Sequence, residues 1–171
     1  KIPTNTPEFD EAEKAVKERL NHFLNNKGTK PVDYFHKKLG KVMWDNCGMA
    51  RNEEGLKKAI EEIKAIKAEF WKDLRVPGTA NELNQELEKA GRVADFIELG
   101  ELMCYDALTR NESCGGHFRE EFQTEEGEAL RDDNNFAHVA AWDFKGENAT
   151  PERHKEELVY ENIKLVQRSY K

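Results

Sequence analysis

One short polar segment holds most of the side chains that could do chemistry. Residues 110–122 read RNESCGGHFREEF and combine acids, arginines, a thiol and an imidazole with two adjacent glycines. Adjacent glycines permit backbone conformations and close approaches that a side chain would block. Polar groups held there could bind an anion or contact another domain, and a helix end followed by a salt-bridged loop is the alternative. The residues that we predict as a domain or subunit docking site are Glu112, Ser113, Cys114, Gly115, Gly116, His117 and Arg119.

The chain contains three cysteines, Cys47, Cys104 and Cys114. Their number is odd and no C-x-x-C pair occurs, so we expect reduced thiols in a cytoplasmic protein and neither a disulfide framework nor a zinc site. The basic residues near Cys114 could make its thiol reactive. An inert thiol is the alternative, and the sequence favours it.

Sequence motifs for catalysis or cofactor binding are missing. There is no G-x-G-x-x-G or G-x-x-x-x-G-K-[ST] loop for phosphates, no H-E-x-x-H or E-x-x-H pair for metals, and no G-x-S-x-G elbow. The five histidines are scattered through different predicted elements. We therefore predict no catalytic, cofactor-binding or metal-binding residue within this chain.

Composition narrows the class of protein. The chain has 171 residues, of which 37% are hydrophobic and 36% charged, a balance that suits amphipathic helices. The net charge of −7 is spread along the sequence, so no basic face exists for a nucleic acid. No apolar run approaches the roughly 20 residues of a membrane span. Because Lys1 is not a Met and no signal peptide follows, we expect an excised fragment of a larger protein.

Helical periodicity predicts four elements that would position the polar segment. The first begins at Thr6, a potential cap, and carries apolar residues to Leu24; the second begins near Pro31. The third begins after a cap at Asn52 and extends to about Leu74. The fourth, residues 81–110, is apolar on more than one stripe, so we predict that it is the central helix of a bundle and is covered from several sides.

A small β-hairpin is predicted after the polar segment. Apolar residues alternate from Phe136 to Phe144, which indicates a strand, and residues 158–163 are its predicted partner. Two strands form a marginal sheet alone, so this hairpin must pack on the helices or on a missing neighbour. The predicted fold is thus mainly α, with a three- to four-helix bundle over residues 1–131 and a tail over 132–171 that carries the hairpin.

Three motifs, in order, resemble one enzyme family. Residues 112–117, ESCGGH, resemble the E-S-R-G-A-H segment near the end of succinate dehydrogenase and fumarate reductase flavoproteins. Residues 131–136, RDDNNF, resemble the R-D-D-E-N-W of that family, and residues 43–56, MWDNCGMARNEEGL, resemble its M-W-x-x-x-G-x-x-R-x-E-x-x-L signature. The resemblance spans residues 31–144, and Cys114 and Gly116 depart from it where the family has Arg and Ala.

The resemblance implies a fold and a parent activity. The fold would be the spectrin-repeat-like C-terminal bundle of the flavoprotein subunit. The parent would interconvert succinate and fumarate on FAD, on the cytoplasmic face of the membrane, with the FAD-binding and capping domains and an iron–sulfur subunit as partners of this domain. The family's flavin and substrate residues lie in those other domains, so none is transferred here. An L-aspartate oxidase C-terminal domain and a free-standing helical interaction module are the alternatives.

Overall fold

A computed structural model describes residues 3–146 and 149–166. Four long helices are followed by a short helix and two strands, which confirms the predicted mainly α fold with a small hairpin. The elements are α1 (Pro7–Asn25), α2 (Val32–Asn46), α3 (Glu53–Asp73), α4 (Gln85–Thr109), α5 (Asp133–Phe136), β1 (His138–Asp143) and β2 (Glu152–Glu157). Among the described residues, no helix is both long and apolar enough to cross a membrane.

The chain divides into two compact units that are interleaved along the sequence. The first contains residues up to Met43 together with Glu61–Glu101, and the second contains Trp44–Ile60 together with the residues from Leu102 onward. Helices α2, α3 and α4 each contribute residues to both units. The predicted division at residue 131, into a helical bundle and a tail whose hairpin packs on it, stays a prediction.

Aromatic rings form the core of the first unit. Phe70 lies in the middle, with the Phe35 ring edge-on at 5.2 Å and the Phe23 ring edge-on at 6.2 Å between centroids. Trp71 stacks on Phe23 at 5.3 Å. These geometries are the ones that aromatic quadrupoles favour. Aliphatic side chains complete the core, and the large ones that are at most 1% exposed are Val32, Ile63, Ile66, Leu74 and Ile97.

Helix α1 follows the predicted span but differs in two details. Pro7 occupies its first turn as expected, yet the Thr6 side chain makes no capping hydrogen bond, and Phe9 N–H bonds the Thr6 carbonyl instead. The Thr6 hydroxyl is hydrogen-bonded to the Glu8 carboxylate, which lowers the pKa of Glu8. Of the predicted apolar stripe only Phe23 is buried, while Phe9 and Val16 stay exposed.

Helix α4 begins at Gln85 and not at residue 81 as predicted, because Asn84 caps it. The Asn84 side-chain oxygen accepts from Leu87 N–H at 3.0 Å, and its amide donates to the Pro77 carbonyl at 2.9 Å. This capping terminates the helix at its N-terminal end. The predicted all-round covering of α4 is wrong for one face, since Phe96, Leu99 and Met103 are 43%, 53% and 44% exposed. Their i, i+3, i+7 spacing places them on a single stripe.

The second unit carries the hairpin, and its second strand is not where the sequence predicted it. β1 pairs antiparallel with β2, with Trp142 opposite Arg153 and His138 opposite Glu157. The predicted partner, residues 158–163, lies outside the ladder. β2 reads ERHKEE and buries none of its side chains, so it lacks the apolar alternation by which strands are recognised. Backbone pairing and contacts such as Arg153 over the Trp142 ring hold it in place.

Candidate functional site

The two glycines of the polar segment form the tip of a tight turn in the second unit. Cys114 N–H donates to the His117 carbonyl at 2.8 Å, and His117 N–H donates to the Cys114 carbonyl at 3.1 Å. Gly115 has φ +59°, a conformation in which a side chain would be strained. Gly116 has no such φ, and a Cβ there would meet no atom within 4 Å. The turn therefore requires glycine at Gly115 but not at Gly116.

His117 connects this turn to two arginines. Its Nε2 is 2.9 Å from the Arg110 carbonyl, and its Nδ1 is 3.1 Å from Arg51 Nη1. A carbonyl only accepts and a guanidinium only donates, so the ring carries its proton on Nε2 and is neutral. Burial lowers the pKa of His117, and the charges of Arg51, Arg119 and Arg110 lower it further against the hydrogen bond to the Arg110 carbonyl.

Arg119 is a buried cation at the C-terminal end of α4. Its guanidinium donates to the Ala107 carbonyl at 3.0 Å and to the Glu121 carboxylate at 3.0 Å. Carbonyls in the last turn of a helix have no intrahelical donor, and they carry the negative end of the helix dipole. Arg119 therefore provides the positive charge that stabilises the C-terminal end of α4. Burial of the Glu121 carboxyl opposes its ionisation, but Arg119 helps to hold the pKa of Glu121 below its usual value.

The neighbouring polar side chains are also internal. Ser113 Oγ accepts from Arg119 N–H at 2.8 Å and donates to the Arg119 carbonyl at 3.1 Å. Glu112 accepts from the Arg110 guanidinium at 2.8 Å and from Asp132 N–H at 3.1 Å. Buried polar groups are normally satisfied in this way, since leaving them unpaired costs free energy. These residues fix the path of the backbone.

Burial divides the seven predicted docking residues into two groups. Glu112, Ser113 and Arg119 have at most 2% of their surface exposed, so the expectation that they form a surface is wrong. The reason is that each satisfies backbone or side-chain groups inside the unit. Cys114 and His117 are half-buried, and Gly115 and Gly116 are exposed. The docking role of the segment stays a prediction, now confined to the turn at residues 114–117.

Arg51 is the site residue that sequence reasoning did not single out. Besides its bond to His117, its backbone N–H donates to the Phe118 carbonyl at 2.9 Å and its carbonyl accepts from Glu120 N–H at 2.8 Å. Asn52 then caps α3 as predicted, accepting from Gly55 N–H at 2.7 Å, and also donates to Glu120 at 2.6 Å. The signal that could have found Arg51 was its place within the residue 43–56 motif.

A cleft of about 510 Å³ opens beside the start of α3. Asn52, Glu53, Glu54, Lys57 and Glu121 line it. Three carboxylates against one ammonium make its charge unfavourable for a phosphate or a dicarboxylate. The cleft therefore offers no anion-binding chemistry.

One group of metal-ligand types occurs in the described part of the chain, at the end of the hairpin. Asp143, Glu152 and His154 place ligand atoms within 4.8 Å of one another, and all three residues are exposed. Lys145 contacts both carboxylates, at 2.9 Å for Glu152. An ammonium already occupies the position that a cation would take.

Residues from all three motifs of the resemblance meet in the second unit. Residues 51–53 pair with 118–121, and the Glu112 carboxylate bonds the backbone of Asp132, which caps α5 by accepting from Asn135 N–H at 3.3 Å. The family model described as fumarate reductase flavoprotein C-term matches residues 36–170. The chain belongs to this family. Its membership confirms the resemblance inferred from the motifs.

Individual relatives agree in sequence and in fold. The chain is 30% identical over 152 residues to the fumarate reductase flavoprotein subunit of Escherichia coli K12, covering 88% of this chain and 23% of that protein. It is 28% identical over 134 residues to the Proteus vulgaris subunit, covering 78% and 22%. A solved E. coli quinol fumarate reductase superposes with a TM-score of 0.77 at 24% identity, covering 94% of this chain and 27% of that one. The chain thus spans about a quarter of these proteins' length.

Proposed function

We propose that this chain is the C-terminal helical domain of an FAD-dependent flavoprotein subunit that interconverts succinate and fumarate, and that it is itself non-catalytic. The family match over residues 36–170 carries this proposal. The residues of the polar segment support a structural role, because the side chains of Glu112, Ser113 and Arg119 form hydrogen bonds to other groups within the chain. In the parent, FAD and substrate would be bound by the domains that make up the rest of its length.

The proposed partners are the FAD-binding and capping domains of the same polypeptide and an iron–sulfur subunit, in a complex peripheral to the cytoplasmic face of the membrane. Two features of this chain support a docking role. The turn at residues 114–117 exposes two glycines, so another backbone could approach it closely. The stripe of Phe96, Leu99 and Met103 on α4 exposes large apolar side chains, as interfaces with absent neighbours do.

The catalytic part of the proposal is tested by comparing the chain with its full-length parent. We expect the parent to carry a flavin absorbance band and to reduce a dye with succinate. The 171-residue chain should show neither property. Flavin bound by the chain alone, or a parent without succinate or fumarate turnover, would contradict the proposal.

The docking part is tested with a paired glycine substitution. Gly116→Gln adds a side chain where nothing lies within 4 Å, and Gly40→Gln does the same on α2. Gly116→Gln should shift the Tm of the chain by no more than the equivalent of about 0.5 kcal/mol, as is usual for surface sites. Gly40→Gln should raise the Tm modestly, because a glycine inside a helix costs roughly 0.5–1 kcal/mol. In the parent, Gly116→Gln should weaken assembly with the iron–sulfur subunit, measured by co-purification, or loosen the packing of this domain on the FAD-binding domain of the same polypeptide, measured as a lower Tm of the parent. Equal assembly of both variants would show that the turn is no docking surface.

A further inference from the structure

Two buried cysteines of the second unit lie side by side. Cys47 directly follows the last residue of α2, and Cys104 lies on α4. They are 5% and 0% exposed, and the two thiol groups are hydrogen-bonded to each other. Residues so far apart in sequence are brought into sulfur contact only by the fold.

The surroundings of Cys47 favour its thiolate. The hydrogen bond from Cys104 and then the charge of Arg51 lower the pKa of Cys47 to about 7, although burial opposes this. Arg51 is held near by its own contacts, since its Nε donates to the Gly48 carbonyl at 3.0 Å and its Nη1 to His117. A thiol buried only among apolar side chains would have its pKa raised, so this pair differs from inert core cysteines.

We propose that Cys47 and Cys104 form a dithiol site that hydrogen peroxide oxidises to an intramolecular disulfide. The Cys47 thiolate attacks one peroxide oxygen, so that an S–O bond forms, the O–O bond breaks, and the leaving hydroxide takes a proton to become water. The Cys104 sulfur then attacks the Cys47 sulfur. The S–S bond forms, the S–O bond breaks, and the second hydroxide leaves as water with the remaining thiol proton. Both sulfurs are oxidised and both peroxide oxygens are reduced.

The disulfide between Cys47 and Cys104 would be a covalent cross-link within the second unit. It links the end of α2 to α4 across a long stretch of sequence, which restricts the unfolded chain and raises the midpoint of thermal unfolding. Cys114 lies outside this pair, because it is half-buried in the turn at residues 114–117 and the thiol hydrogen bond of Cys47 is with Cys104.

The test treats the folded chain with peroxide and then counts its thiols in denaturant. Three titratable thiols should fall to one, with a mass lower by two hydrogens, a cross-linked peptide joining Cys47 to Cys104, and an increased Tm. Cys114→Ser is the matched control, and its two remaining thiols should both be lost. Cys47→Ser and Cys104→Ser should form no intramolecular disulfide. Retention of all three wild-type thiols, or a disulfide that includes Cys114, would overturn the proposal.

The pH dependence separates this site from slow oxidation of any thiol. The groups around Cys47 are the Cys104 thiol and Arg51, which in turn bonds His117. The oxidation rate should rise through about pH 7, following the Cys47 thiolate. Arg51→Met should shift that midpoint upward, and Arg51→Lys should restore part of the shift. A rate that keeps the same midpoint in Arg51→Met contradicts the role of Arg51, and loss of the reaction in folded wild type contradicts the site.

Discussion

At the scale of single residues, His117 owes its neutral state to what surrounds it. Nε2–H donates to the Arg110 carbonyl and Nδ1 accepts from Arg51, so a second ring proton would face a guanidinium. Burial opposes the charge as well. The ring therefore works as a neutral connector between the turn and the backbone beside α3.

This arrangement predicts a loss of stability in mild acid. The pKa of His117 in the folded chain lies below its ordinary 6.5, and burial lowers the pKa of His138 likewise. As the pH falls below about 6.5, these histidines bind protons in the unfolded chain but remain neutral in the folded chain, so the free energy of unfolding decreases. Above that pH both states are neutral and the stability is fully present. Melts at about pH 7.5 and about pH 5.5 should show a smaller drop in Tm for His117→Gln than for wild type. The control His154→Gln, at an exposed position, should keep the wild-type drop.

Arg119 should be costly to remove. Arg119→Ala removes a donor from the Ala107 carbonyl and the ion pair to Glu121, although that carboxylate is 38% exposed and keeps the Glu53 N–H. We therefore expect a loss of about 1–3 kcal/mol, the usual penalty for a buried group left unsatisfied. Arg119→Lys keeps the charge but not the planar fork, and should recover only part of this. The matched control is Arg92→Ala, whose exposed pair with Glu88 should contribute at most about 0.5 kcal/mol. Urea unfolding of the chain measures all three.

At the same scale, sequence reasoning located the site but not its burial. The glycines and clustered charges marked residues 112–119, and the motifs identified the family. No pattern in a single sequence showed that Arg119 turns inward, because its acceptors are the α4 carbonyls and every residue has a carbonyl. Contact between Cys47 and Cys104 was equally hidden, since it depends on how distant elements pack.

At the scale of elements, the helices were predictable because they combine periodicity with end signals. Asn52 capped α3 where its position suggested, and α4 shows how a cap outweighs propensity, since Asn84 delays its start. β1 was predictable from its alternation, and Trp142 Nε1 indeed points inward to Asp106 at 2.8 Å. β2 was not, because its order comes from pairing with β1 and its own residues carry no apolar signal.

The helices of the first unit should depend on three fully buried side chains. Ile63, Phe70 and Ile97 are 0%, 0% and 1% exposed. Each replacement by Ala should reduce the free energy of unfolding by roughly 2–5 kcal/mol, through lost transfer free energy and a residual cavity. Val16→Ala on α1 is the control, since Val16 is 59% exposed and should lose less than about 0.5 kcal/mol. Denaturant titration of all four variants measures this, and a small loss at Phe70 would argue against the aromatic core.

At the scale of the whole molecule, two compact units raise the question of how many transitions the chain shows. Helices α2, α3 and α4 each supply residues to both units, so neither unit can lose its structure without breaking hydrogen bonds inside these helices. Interleaving along the chain therefore favours unfolding in a single step, as small single domains usually show.

Tryptophan probes can test this prediction in each unit separately. Trp71 stacks on Phe23 in the first unit, Trp142 bonds Asp106 in the second, and Trp44 is 84% exposed. The double variant Trp44→Phe/Trp142→Phe leaves Trp71 as the reporter, and Trp44→Phe/Trp71→Phe leaves Trp142. Within each variant the fluorescence midpoint should coincide with the helical circular dichroism midpoint, because one transition is common to all probes. If the Trp142 signal instead melts before most of the helical signal is lost, the second unit unfolds alone, and the continuity of the three helices does not couple the units.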